Sequence, residues 1–373
     1  MKKTTSALAA VALMTAGTAS AMEEFVVNET TTGSIFGGVY VGASNTEQGD
    51  GSTESDVFDN GTTLGFVFES RLPNGMSAFA HLEEDGFDAA DDGVTDQKTD
   101  EAYFGLKGDF GTVQFGRNDA IYDDRITDHF DYQEVNTPTK FGPTREGALQ
   151  FYSSDMNGFS FALEAEITGD GDEALQEQDA DTADFAAANP RQQTTLAQDA
   201  EFTNGTDLNG VDADSVSLAA AVSYTMGAVT VTGAIDQRGN DVGTIHDSIQ
   251  EGVGSKSFYV DSPIYGVVAS LDLNPLVLSA GYQQAEEQAG VGVSSDVNIF
   301  SVDAQYAYGS GSLYGTYNAV DTDAVLLGST TFDEVSLGGT YGIGQIYGFV
   351  EYIAYDKAQD LDDAVSVGGG YVF

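Results

Sequence analysis

The stretch EAYFGLKGDFGTVQFGR occupies residues 101–117. Two short runs of alternating apolar and polar residues flank a tight Asp109-Phe110-Gly111 turn, and the second run ends on Arg117. Alternation with period two marks a β-strand with one apolar face, so the stretch reads as a hairpin. Its terminal arginine stands out in a chain with 13 Lys+Arg against 60 Asp+Glu.

The same alternation recurs from about residue 33 to the C-terminus. In GFSFALEAEIT, Phe159, Phe161, Leu163, Ala165 and Ile167 share one face, while Ser160, Ala162, Glu164 and Glu166 share the other. DSVSLAAAVSYTM and AVTVTGAID repeat the pattern with Val216, Leu218, Val222, Val229, Val231 and Ile235. The connections between runs alternate in length. Short turns fall at 73–75, 109–111, 154–158, 226–227, 274–275, 309–311 and 342–344. Longer segments fall at about 44–60, 85–99, 118–145, 169–213, 239–261, 288–295, 322–331 and 357–363. Fifteen connections join sixteen strands, with both chain ends on the short-turn side. Two of these strands, within 257–271 and 345–355, look apolar on both faces.

Residues 1–21 read as a secretory signal: a basic MKK, an apolar SALAAVALMTAG at 6–17, and a small-residue Ala19-Ser20-Ala21 cleavage site. An apolar run of twelve is too short to span a bilayer as a helix. Residues 22–373 then form one domain; the whole chain has no Cys and only 6 Pro, but 45 Gly, 18 Tyr and 22 Phe. No disulfide supports such a chain in an oxidising compartment. Soluble sandwiches also alternate, but their connections do not segregate by length in this way. A sixteen-stranded barrel has a lumen too wide for side chains to fill, so its apolar face points outward into lipid. The expected fold is all-β: a 16-stranded antiparallel transmembrane barrel with short turns at one end and long loops at the other.

The last ten residues, AVSVGGGYVF, form a closing strand that ends on the aromatic Phe373. With the signal peptide and the block AYFGLKGDFGTVQFGR, this end resembles the general diffusion porins of Gram-negative bacteria. The resemblance implies a homotrimer of barrels in the outer membrane, surrounded by lipid and lipopolysaccharide, each with a water-filled pore for small hydrophilic solutes and ions. It also implies that Phe373 resembles the signal read by the outer-membrane assembly machinery.

Strict alternation puts Val113, Phe115 and Arg117 on the lipid side, where an arginine costs roughly 2–4 kcal/mol near the midplane. Either the strand ends at Arg117, or Gly116 allows a bulge that turns it inward. Arg145 stands in the same relation to Gly147 at the far end of the long segment 118–145. In the family, the loop after the "GR" strand folds into the barrel and narrows it, with basic wall residues facing acidic loop residues. Arg117 matches one wall arginine, Arg145 resembles another, and Thr63 stands where a third usually precedes "LGF". The loop supplies Asp119, Asp123, Asp124, Asp128, Asp131 and Glu134, with Arg125, His129 and Lys140. Two arginines against six acids predict a net negative constriction that prefers cations.

Acids also crowd the long connections. The segment 169–213 holds eleven of them against Arg191 alone, which points to a salt-rich habitat. No cofactor is expected. Loosely held divalent cations on the acidic outer loops, such as the stretch DAADDGVTD, are the only ligands of that kind suggested. An enzyme is disfavoured: His81, His129 and His246 fall in or near different connections, and no Cys, G-x-S-x-G or HExxH occurs. A nucleic-acid partner is not expected. The alternatives are an oligosaccharide-selective porin, with Tyr122, Phe130 and Tyr132 as stacking platforms, and a barrel-based adhesin or structural outer-membrane protein.

Overall fold

Alternating side chains and short reverse turns close the chain into an antiparallel barrel of sixteen wall strands. The computed structural model describes residues 23–47, 52–87, 89–90, 98–135, 138–141, 144–167, 216–237, 241–244, 257–260, 263–288, 294–322, 330–356 and 363–373. The first eight wall strands are β1 (Thr31–Glu47), β2 (Thr63–Arg71), β3 (Ser77–Asp85), β4 (Lys98–Gly108), β5 (Gly111–Asp119), β6 (Thr144–Ser153), β7 (Phe159–Ile167) and β8 (Val216–Met226). The remaining eight are β9 (Val229–Gln237), β10 (Ile264–Asp272), β11 (Leu276–Gln288), β12 (Ser294–Tyr308), β13 (Gly311–Thr322), β14 (Thr330–Ile343), β15 (Ile346–Asp356) and β16 (Ala364–Val372). Each pairs with its sequence neighbours, and β16 closes the ring on β1 from Val372↔Gly38 to Ala364↔Thr46. Phe373 exchanges both backbone hydrogen bonds with Gly37, so the last residue is part of the sheet.

Four shorter strands lie off this ring. Glu23–Val26 lies along β1 on the edge that β16 leaves open, from Glu23↔Ile35 to Val26↔Thr32. Thr53–Asp59 folds back on the upper half of β1, so the connection expected at 44–60 is itself a hairpin. Asp241–Thr244 pairs with Ser257–Val260, which moves the start of the following wall strand to Ile264. The expected signal peptide, the acidic segment 169–213, His246 and most of the DAADDGVTD stretch lie outside the described residues.

The wall has the inverted polarity of a membrane barrel. Phe104, Phe115, Leu149, Leu163, Leu218 and Val222 project outward and are exposed, while Gln150, Glu164, Ser223 and Thr232 are buried on the lumen side. A soluble protein rarely exposes so large an apolar surface. The lumen is not uniformly polar, however. Ala221, Val268, Val297, Ile299 and Val320 line one arc of it and are covered by an inserted loop. Tyr347 and Phe349 pack with Val135 in a second patch, which explains why the strand over 345–355 reads as apolar on both faces.

Candidate functional site: the inserted loop and its wall

Chain leaving β5 turns into the barrel through α1 (Ile121–Arg125) and a single 3-10 turn, Thr127–Phe130. Ile121, Tyr122, Ile126 and Phe130 pack on the lumen-facing apolar arc and are 3% exposed or less. Burying one such side chain is worth roughly 1.5–3 kcal/mol, so the loop is a packed element. Two wall glycines make room for it. A Cβ at Gly266 would sit 2.5 Å from the Tyr122 hydroxyl oxygen, and one at Gly281 would sit 2.6 Å from the Phe130 ring.

Buried wall carboxylates then fix the loop backbone. Glu164 on β7 accepts from the Ile121 N–H at 2.9 Å and from Gln150 at 2.7 Å. Glu351 on β15 accepts from the N–H groups of Glu134 and Val135 at 2.6 and 3.0 Å, and from the Tyr314 hydroxyl at 2.6 Å. Glu334 on β14 accepts from the Thr139 N–H and hydroxyl at 2.6 and 2.8 Å. Charge-assisted bonds of this kind are about twice as strong as neutral ones. These anchors were not singled out from sequence. The only signal for them is an acid of lumen parity in mid-strand, as at Glu164.

The predicted acids divide between anchoring and display. Asp131 forms an ion pair with Lys140, and Asp123 accepts from the Thr127 hydroxyl. Asp124 accepts from the Tyr152 hydroxyl at 2.6 Å, and Arg125 lies over the Tyr152 ring. Burial raises Asp124 to about 6, although Tyr152 and Arg125 oppose the rise. Burial pushes Asp128 up to about 8, with Asp123 and Asp124 adding to the effect. Glu134, which accepts from Tyr347 at 2.9 Å, is pushed to about 7 by burial; the Tyr347 bond opposes the rise and Glu351 adds to it. Burial works against the Lys140 ammonium, but Asp131 and Asp123 outweigh it and hold its pKa above the ordinary lysine range. His129 is driven down to about 4 by burial and Arg125, so it is neutral at pH 7.

The strand does not end at Arg117; it continues to Asp119. Arg117 is half-buried and pairs in unbroken register with Ala102 on β4. The irregularity lies on the other side, where Gly116 pairs with Ala148 but Asn118 pairs with Arg145. One extra residue is therefore on β6, around Gly147, which has a φ of 66°. Gly116 itself has a φ of 144°, and a Cβ there would meet the Ala102 carbonyl oxygen at 2.2 Å. Both glycines take part in the distortion, but the bulge belongs to the strand of Gly147. The Arg145 side chain lies outside the described residues.

The wall beside the loop is acidic. Thr63 donates to Glu83 at 3.0 Å, and His81 Nε2 lies 3.2 Å from Glu83 and 3.0 Å from Glu101. His81 is a strand residue stacked on Tyr103 with ring centroids 4.9 Å apart, not a residue of a connection. The triads His81/Glu83/Glu101 and Glu83/Asp85/Asp100 each bring their ligand atoms within 4.8 Å of one another, a grouping able to receive a cation. Asp119 lies within electrostatic reach of Asp123 and Asp124 on the loop and of Asp100 and Glu101 on the wall. Tyr122, Phe130 and Tyr132 are buried against the wall at 0%, 3% and 3% exposure, which removes them as stacking platforms.

The sequence profile of the Gram-negative porins matches residues 6–359. The chain belongs to this family. It is an outer-membrane channel protein of a Gram-negative bacterium, and the family is not enzymatic. A monosaccharide porin from a Halomonas species and the major outer membrane protein of Halomonas elongata are each 28% identical to this porin over 410 residues, covering all of both chains. Among solved structures, the anion-selective porin from Comamonas acidovorans superposes with a TM-score of 0.67 at 14% identity, covering 92% of this chain and 100% of that one. Salmonella typhi OmpF gives 0.64 at 17% identity, covering 94% and 100%. These structural likenesses establish the barrel and not its selectivity.

Proposed function

We propose that this porin is a cation-preferring passive channel for small hydrophilic solutes. The observation that carries this reading is the run of carboxylates from the wall (Glu83, Asp85, Asp100 and Glu101) through Asp119 to Asp123 and Asp124 on the loop. Where the family resemblance implied a third wall arginine, Thr63 instead donates to Glu83. In a low-dielectric channel such a run concentrates cations. Arg117 and Arg145 moderate the field without reversing it. The relation to a monosaccharide porin favours small sugars among the neutral solutes. Three barrels assemble as a homotrimer, as in the trimer form of the structurally similar OmpT of Vibrio cholerae. Residues 1–21 are removed on export, and Phe373 serves as the assembly signal.

Proteoliposomes carrying the porin should swell in isotonic glucose and admit lysine faster than glutamate. Equal rates for the two amino acids would remove the cation preference. Absence of swelling would remove the open channel and favour an adhesin or structural barrel.

A further inference from the structure

Behind the loop, four buried polar atoms have no hydrogen-bond partner among the described residues. They are Gln283 Nε2 on β11, Ser301 Oγ and Asp303 Oδ1 on β12, and Asn318 Oδ1 on β13. All four residues are 1% exposed or less. Buried polar atoms in native proteins nearly always have partners, so the three on β12 and β13 call for a shared one.

The register places them together on the lumen face. Ser301 stands opposite Asn318, and Asp303, two residues along, stands opposite Thr316. Gln283 is opposite Ile299, which makes it the diagonal neighbour of Ser301. Opposed Cβ atoms lie roughly 4.5–5.5 Å apart and diagonal neighbours roughly 7–8 Å, so one small ligand can bridge Ser301, Asp303 and Asn318, whereas Gln283, opposite Ile299, stands four residues short of Asp303 and is out of its reach. The loop forms the lid. The Phe130 ring fills the space over Gly281, directly opposite Ser301. Gln133 donates to Thr316, and Asn318 donates to the Thr139 carbonyl.

The chemistry of the patch selects a hard cation. Asn318 Nδ2 donates to Glu334 at 2.6 Å as well as to Thr139, so its Oδ1 is the atom left facing the patch. Asp303 Oδ2 accepts from Thr316, which leaves Oδ1. A carboxylate, a hydroxyl and an amide carbonyl make an all-oxygen set suited to hard ions. Among the described residues no ion pair reaches Asp303. The single charge on Asp303 balances one monovalent ion.

We propose that a sodium ion is held between β12–β13 and the underside of the inserted loop, and that it fastens the loop to the wall. An ion bound only when the loop is seated favours that state by mass action. The constriction of this porin is then held in shape by the salt of its surroundings. The proposal does not depend on which ions the channel prefers to conduct.

The test uses the purified porin in detergent, exchanged into N-methyl-glucamine chloride and titrated with sodium chloride at constant ionic strength. Tryptic cleavage after Arg125 and Lys140 reports the seating of the loop. Cleavage should slow with sodium and saturate. Asp303→Asn should raise the half-saturating sodium concentration by about tenfold or more. Ser301→Ala should shift it in the same direction, which keeps the test intact if the first variant fails to assemble. An anomalous peak among Asp303, Ser301 and Asn318 in thallium-soaked crystals would locate the ion. Equal cleavage in sodium and N-methyl-glucamine would mean that ordered water alone fills the patch, and the proposal would fall. Saturation by calcium with no response to sodium would equally overturn it.

Discussion

Glu351→Gln isolates the wall anchor that fixes the middle of the constriction loop. The Glu351 carboxylate is 1% exposed and accepts hydrogen bonds from the Glu134 and Val135 N–H groups and the Tyr314 hydroxyl. Glutamine keeps one acceptor oxygen and turns an NH2 group toward a donor. At least one donor is then stranded, and the others lose charge assistance. Bonds to charged groups are worth about 1.5–3 kcal/mol, and a stranded buried donor costs about 1–3 kcal/mol. The two effects overlap, so we expect about 3 kcal/mol in favour of the unseated loop, or about 100-fold in its population. Amide hydrogen exchange reads this directly. Glu134 and Val135 should lose about 100-fold of their protection. Ile121, held separately by Glu164, should keep its own. A loss below about threefold at Glu134 and Val135 would show that the carboxylate does not carry the anchoring energy assigned to it.

Three further outcomes follow from the same geometry. Burial holds Asp124, Glu134 and Asp128 at about 6, 7 and 8, so each is neutral below its value and ionised above it. Cation preference should therefore rise between about pH 5 and pH 9 and level off above; a flat profile would mean these groups do not face the ion path. Gly266→Leu puts a side chain where Tyr122 and Ile126 sit, an overpacking worth about 1–3 kcal/mol. Trypsin should then cut after Arg125 faster than in the native porin, and an unchanged rate would show that the loop does not rest on that wall. Arg117→Ala should strengthen cation preference if the guanidinium reaches the lumen, and no change would place it away from the ion path.

The barrel was legible in the sequence because lipid and lumen impose a period of two on every wall strand. The hairpin around Asp109-Phe110-Gly111 could be read from that rule, and the sixteen strands from it together with the alternating lengths of the connections. It failed where a lumen position is apolar. Phe349 and Ile353 face inward and are buried, Phe349 in the patch with Val135, so β15 lost its alternation. The inserted loop was expected from the resemblance after Arg117, but its anchors were not. Glu334 and Glu351 hold backbone about 200 residues away in the chain, and local spacing records no such pairing. A distortion near Arg117 was expected from the two glycines, but as a bulge at Gly116 or a strand end, and the structure shows neither. Its assignment to β6 required the register of both neighbouring strands.

The most direct test of the acidic constriction is the zero-current potential of single channels in a planar bilayer under a salt gradient. The account predicts three-step closure with a potential that favours cations, increasing as pH is raised from 5 to 9. A potential that favours anions at every pH would mean that Arg117 and Arg145 dominate the pore, and would contradict the account.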